Sequence, residues 1–175
     1  VVLLFCSHLT AQTTLRQATE DLFLIGVAVN NPQTRGARPA EAEQISRHFS
    51  AIVPENCMKS AEIHPEEHRY NFEATDQMLA FGENNRQVVT GHCLIWHSQL
   101  ARWFCVDEQG EPVSAEVLKS RMREHIFSIM TRYKGRIKGC RDISVLYAYD
   151  VERMEPVCAE VFAGNHIDAV SFASF

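Results

Sequence analysis

The sequence predicts an α/β protein built on a parallel sheet, and three observations lead there. Short apolar runs of strand length recur along the chain. Segments with apolar residues at three- and four-residue spacing separate them. Two of the runs close in clusters of polar residues, as strands do when loops at the carboxyl edge of a parallel sheet carry a site.

The first run, Leu22–Val29, is continuous rather than alternating, which suits a strand buried on both faces. Residues 39–49 read as a helix with Pro39 in its first turn, where the missing N–H costs nothing. SAIVPEN follows as a second strand with a polar end. Asn71 is placed to cap a helix running to Asn84, with Ala74, Met78 and Phe81 on one face. QVVTGHCLIW reads as the third strand. Ser114 then caps the clearest helix, in which Leu118, Met122, Ile126, Ile129 and Tyr133 share a face before KGRIKG ends it.

Charge and composition narrow the function. The 175 residues carry 17 Lys and Arg against 22 Asp and Glu, a formal charge of −5, with no basic block. Nucleic acid is therefore not an expected partner, and neither is a membrane surface. The longest apolar run, VVLLF at residues 1–5, is far short of the roughly 20 residues that span a bilayer. Followed by LTAQ, that run resembles the end of an export signal cleaved after Ala11, which places the protein outside the cell or in a periplasm. Of the six cysteines, Cys6 falls in this leader, and the odd remainder at positions 57, 93, 105, 140 and 158 is no disulfide framework. Cys57 and Cys93 read as small buried hydrophobes. His92 and His97 lack a carboxylate or third histidine at matching spacing, so neither a metal nor another cofactor is expected.

The polar strand ends PENCMK (Pro54–Lys59) and GHCLIWH (Gly91–His97) carry a family resemblance. The order FLIGVAVN, IVPENCMKSAEIHPEEHRYNFEATDQM, VVTGHCLIWHSQLARWF and REHIFSIMTRYKGRIKG resembles glycoside hydrolase family 10, the endo-1,4-beta-xylanases, from about Phe23 to Gly139. The resemblance implies a (β/α)8 TIM barrel. Such a barrel takes about 250 residues, so a partial barrel is expected: the first three to four βα units plus a tail of uncertain placement. It divides the chain into a leader remnant at 1–11, the N-terminal part of the barrel at 12–139, and a divergent or decayed tail at 140–175.

The family likeness also implies a substrate, xylan or xylo-oligosaccharide, and a groove to hold it. Glu55, Asn56 and Lys59 would hydrogen-bond a xylose unit on the non-reducing side of the scissile bond. His92 would contact the sugar at the cleavage point, Gln99 a neighbouring hydroxyl, and Trp96 would form an apolar wall with an N–H donor. His97 is expected to be buried and hydrogen-bonded. Trp103 and the loop to Pro112 read either as an outer rim or as ordinary packing. Glu62, Glu66 and Glu67 read as a solvated acidic face.

What the family needs for catalysis is not found. Retaining hydrolysis uses two carboxyl groups about 5 to 5.5 Å apart. The family's fourth strand reads WDVVNEA, with its Glu as acid/base; here CRDISVL puts Ser144 at the Asn position and Val145 at the Glu position, or Leu146 in the alternative register. The attacking Glu, usually within TELD, has no counterpart before Phe175. SVLYAYDVERMEP and NHIDAVSFASF resemble the family's fifth- and sixth-strand patterns imperfectly, which fits either a disturbance near Cys140 or an unrelated tail. No catalytic residue is assigned, and an inactive fragment is expected.

Overall fold

The computed structural model describes residues 13–138 together with the backbone of strands at 144–150 and 155–162. Three parallel strands form its sheet in the order β1 (Gly26–Val29), β2 (Ala51–Pro54) and β3 (Val88–Val89), with Val27 opposite Ile52 and Ile52 opposite Val89. Each crossover is helical. A short helix α1 (Leu15–Ala18) precedes β1. Next come α2 (Asn31–Thr34) and α3 (Pro39–His48) between β1 and β2, then α4 (Ser60–Ile63) and α5 (Glu73–Asn84) between β2 and β3. After β3 the chain runs through two single 3₁₀ turns into α6 (Ala115–Arg132). It then returns to the sheet: Thr90 bridges Lys138 in parallel, and the Lys138 N–H donates to the Val89 carbonyl at 2.8 Å. Lys138 thus opens the fourth strand position.

Local sequence explains the helices. Pro39 is the first residue of α3, and Ser114 caps α6 by accepting from the Val117 N–H. Gly135, at φ +80°, takes the left-handed conformation that turns the chain after α6. Asn71 does not cap α5: Phe72 is the boundary residue and gives no side-chain cap, while Glu73 and Asp76 supply negative charge to the first turn. The apolar faces meet the sheet as their spacing requires. Met78 and Leu79 of α5, Ile129 of α6 and Tyr133 just beyond it join Val29, Ile52 and Val89 in one core. Gly82 lets α5 lie close to the sheet, since a Cβ there would stand 2.5 Å from Val89 Cγ2. Burial and the Asp76 carboxylate accepting its hydroxyl proton at 2.9 Å push the Tyr133 phenol up to about 12.

Two expectations are corrected. Only Gly26–Val29 of the first apolar run is strand, and Leu22, Phe23 and Leu24 are 76%, 61% and 59% exposed. Gly26 and Ala28 are exposed while Val29 is buried, so one face of β1 is uncovered rather than both being buried, and the strand is also the edge of the described sheet. The third run is strand only at Val88–Val89, and Gly91–Trp96 is irregular. Ser144–Asp150 (β4) pairs with Glu155–Phe162 (β5) antiparallel in a separate two-stranded sheet, within the tail whose placement the sequence left open. The expected leader, Cys6, Cys140 and the NHIDAVSFASF segment lie outside the described residues, as do the side chains of the two late strands.

Candidate functional site

β2 delivers the first part of the site. The Glu55 N–H still donates to the Val29 carbonyl at 2.8 Å, so the ladder holds through the strand end. A turn follows in which the Lys59 N–H donates to the Asn56 carbonyl at 2.8 Å, bringing those two side chains to one side. The second part comes from the 3₁₀ turn at His97–Gln99. Ser60 at the start of α4 fastens it: its hydroxyl donates to the Gln99 carbonyl at 3.3 Å and accepts from the Ala101 N–H at 3.1 Å. Two segments forty residues apart are thereby locked edge to edge.

At this junction Lys59, only 8% exposed, donates to Asn56 Oδ1 at 3.0 Å and to Gln99 Oε1. Gln99 Nε2 also donates to Asn56 Oδ1 at 3.4 Å. The ammonium lies 4.6 Å from the centre of the Trp96 ring, and Trp96 is 39% exposed. Both amide oxygens of this triad accept from the lysine, which leaves the Asn56 amide hydrogens and one ammonium hydrogen without a hydrogen-bond partner among the described residues, beside a flat indole face. A surface that pairs fixed donors with an aromatic plane suits a polyhydroxylated ring, whose hydroxyls accept and whose C–H face is apolar.

Sequence-predicted residues divide on this geometry. Asn56, Lys59, Trp96 and Gln99 come together. Glu55 and His92 are exposed at the ends of neighbouring strands, and their side chains make no hydrogen bond among the described residues. His97 is a correction: it is exposed, edge-on to Trp96 at 5.5 Å between ring centres, because the 3₁₀ turn rolls it away from the core. Glu67 is a second correction. Arg121 of α6 grips both its oxygens, at 2.8 and 2.9 Å, so it is an ion-paired anchor rather than part of a solvated face. Arg121 also donates to the carbonyls of Trp103 and Val106. Trp103 is a packing residue: its indole N–H donates to the His64 carbonyl at 2.9 Å and its ring stacks on Phe104. Cys57 is buried as expected and Cys93 half-buried, and burial pushes both thiols up.

The sequence reading missed a buried pair, His64 and His125, whose Nδ1 atoms are 3.0 Å apart. Its signal was present, since His125 falls on the apolar stripe of α6 between Met122 and Ile129. Among the described residues no group of His, Cys, Asp and Glu has the arrangement of a metal site, and no helix is long and apolar enough to cross a membrane.

Comparison with known proteins agrees with the geometry. Residues 14–151 match the profile of glycosyl hydrolase family 10. The chain is 42% identical over 128 residues to endo-1,4-beta-xylanase A of Xylanibacter ruminicola, covering 73% of this chain and 35% of that enzyme. It is 36% identical over 150 residues to endo-1,4-beta-xylanase A of Caldicellulosiruptor saccharolyticus, covering 85% and 40%. Among solved structures it superposes on a GH10 endoxylanase from a sugarcane soil metagenome with a TM-score of 0.69 at 36% identity, over 73% of this chain and 38% of the other. On xylanase 10B of Thermotoga petrophila in complex with xylobiose the TM-score is 0.66 at 35% identity, over 72% and 38%. The chain thus spans little more than a third of the length of these relatives.

Proposed function

Because the chain belongs to glycosyl hydrolase family 10, we propose that it carries one wall of a xylan-binding groove, formed by Glu55, Asn56, Lys59, His92, Trp96 and Gln99, and binds xylo-oligosaccharide without cleaving it. The observation that carries the reading is the Lys59 junction, where an ammonium and two amides are held in fixed geometry beside an accessible indole. Glu55 and His92, exposed at adjacent strand ends, would complete the wall on contact with a sugar, one accepting and the other donating or accepting.

The complete protein would hydrolyse xylan, as the names of its relatives suggest, with the retaining chemistry that the family resemblance implies. In these 175 residues the resemblance puts Ser144 at the family's Asn position and Val145, or Leu146 in the alternative register, at that of the acid/base Glu, and no TELD-like motif occurs. Loss of both groups removes proton donation and covalent attack together, each contributing orders of magnitude in rate. On this reading residues 12–139 are barrel, residues 140–175 a divergent tail, and residues 1–11 an export leader for a secreted or periplasmic protein.

Calorimetric titration with xylohexaose and cellohexaose tests the proposal, alongside sugar release from xylan. Binding that prefers xylohexaose, is weakened by Asn56→Ala and His92→Ala, and comes with no released sugar is the expected result. Absence of binding by a folded chain would refute the groove, and sugar release would refute the assignment of missing acids. Mass spectrometry of the exported protein, expected to begin at Gln12, checks the leader.

A further inference from the structure

Hydrogen-bond bookkeeping at the buried histidines does not close for neutral rings. His64 Nε2 lies 3.0 Å from the Glu67 carbonyl, His125 Nε2 lies 3.0 Å from the Leu94 carbonyl, and the two Nδ1 atoms face each other at 3.0 Å. A carbonyl only accepts, so each Nε2 must bear a hydrogen, and the contact between the Nδ1 atoms needs a third. Two neutral imidazoles own two N–H groups between them. One of the three contacts would then set lone pair against lone pair at hydrogen-bond distance, with both rings fully buried.

We infer that His64 and His125 share one additional proton between their Nδ1 atoms, forming a buried monocation that holds the Leu94 carbonyl and so positions the segment carrying Trp96 and Gln99. With three hydrogens all three contacts are satisfied. The surroundings suit a cation. Tyr70 stacks on His64 with ring centres 3.7 Å apart, Trp103 tilts over it at 4.6 Å, and Phe104 meets His125 edge to face at 5.4 Å. Electron-rich ring faces stabilise an imidazolium in the absence of water. The facing charges are Glu67 on the α4–α5 connection, paired with Arg121 of α6, then Glu124 of α6 and His68. Burial is the largest influence on His64 and pushes it down, as does His68, whereas the contact with the Glu67 carbonyl and the carboxylates of Glu124 and Glu67 favour the proton; it is the count of three contacts against two hydrogens that calls for the third. A second proton is resisted, because burial and the adjacent His64 push His125 down to about 4.

The sign of the pH dependence follows from two linked steps. Unfolded, each histidine titrates near 6.5. The folded pair refuses its second proton until about pH 4, so stability is lost as pH falls from 6.5 toward 4. Against the downward push of burial, the three contacts require the folded pair to keep its one shared proton above the unfolded value, so on this inference stability is also lost as pH rises through the folded transition. A neutral pair would show only the acid limb.

Long-range proton–nitrogen NMR of the whole chain labelled with 15N-histidine reads the proton count directly, with no sugar present, so it stands apart from the xylan proposal. At pH 7 the expected spectrum has two protonated Nε2 atoms and one hydrogen shared between the Nδ1 atoms. An Nδ1 pair with no hydrogen, or either Nε2 without one, would overturn the inference. His125→Asn leaves a neutral amide that can donate to His64, and should abolish the alkaline limb of the pH–Tm profile. A limb equal in wild type and variant would count decisively against the shared proton. Should that variant not fold, the wild-type spectrum decides alone. The positioning role is read by NMR of the Trp96 indole across the alkaline transition, which should shift as the proton leaves; an unmoved indole would remove that part.

Discussion

Replacing Lys59 by methionine separates the two roles of the junction. The ammonium makes two charge-assisted hydrogen bonds, to Asn56 Oδ1 at 3.0 Å and to Gln99 Oε1, and approaches the Trp96 face to 4.6 Å. Hydrogen bonds to charged groups contribute about 1.5–3 kcal/mol each, and the cation–π contact about 0.5–2 kcal/mol. Against that, a side chain only 8% exposed keeps a charge largely out of water, at a cost of several kcal/mol. Methionine fills similar volume without that cost. Asn56 Oδ1 keeps its bond from Gln99 Nε2 at 3.4 Å, so a single acceptor, Gln99 Oε1, loses its donor. The opposing effects nearly cancel, and the stability change should fall within about 1 kcal/mol. Sugar affinity has no such compensation. Loss of the remaining ammonium hydrogen removes about 1.5–3 kcal/mol, or roughly a 10- to 140-fold rise in Kd for xylohexaose. Urea unfolding and calorimetric titration of the same samples measure both quantities. Unchanged affinity, or a loss that tracks unfolding, would refute the argument that this lysine faces substrate.

Other substitutions probe the scaffold. Gly82→Ala adds a methyl 2.5 Å from Val89 Cγ2 and 3.2 Å from Ile52 Cδ1, and overpacking of about 1–3 kcal/mol should outweigh the helix-propensity gain of about 1 kcal/mol, lowering Tm. Arg121→Ala strips the donors from the Trp103 and Val106 carbonyls and leaves Glu67 unpaired, so about 2–3 kcal/mol of stability should be lost in urea titration and protease should cut the 102–113 loop faster. Val145→Glu should leave xylan hydrolysis at background in a sugar-release assay, because no attacking carboxylate is supplied; measurable turnover would show the nucleophile to be misplaced.

The candidate residues could be named because two short stretches, Asn56–Lys59 and Trp96–Gln99, carry the family resemblance; composition did not single them out, since Cys57 and Met58 between Asn56 and Lys59 are core residues. Proximity of the two was not legible from spacing. It depends on Ser60 latching the Gln99 carbonyl and the Ala101 N–H, two bonds that a serine's identity does not announce. For the same reason Glu67 read as solvated, its partner Arg121 being fifty-four residues away.

The sequence alone determined where the three long helices lie, because three-to-four spacing and a first-turn proline or capping serine are local properties of the chain: α3, α5 and α6 lie where Pro39, Met78 and Ser114 place them, whereas the single-turn helices α1, α2 and α4 were not read from it. Only the tertiary structure decided which apolar and ionisable residues are covered, because burial is a property of what packs on a residue. Leu22–Leu24 stay open beyond the edge of β1, His97 rolls outward, and His64 and His125, sixty-one residues apart, close on each other behind Tyr70, Trp103 and Phe104.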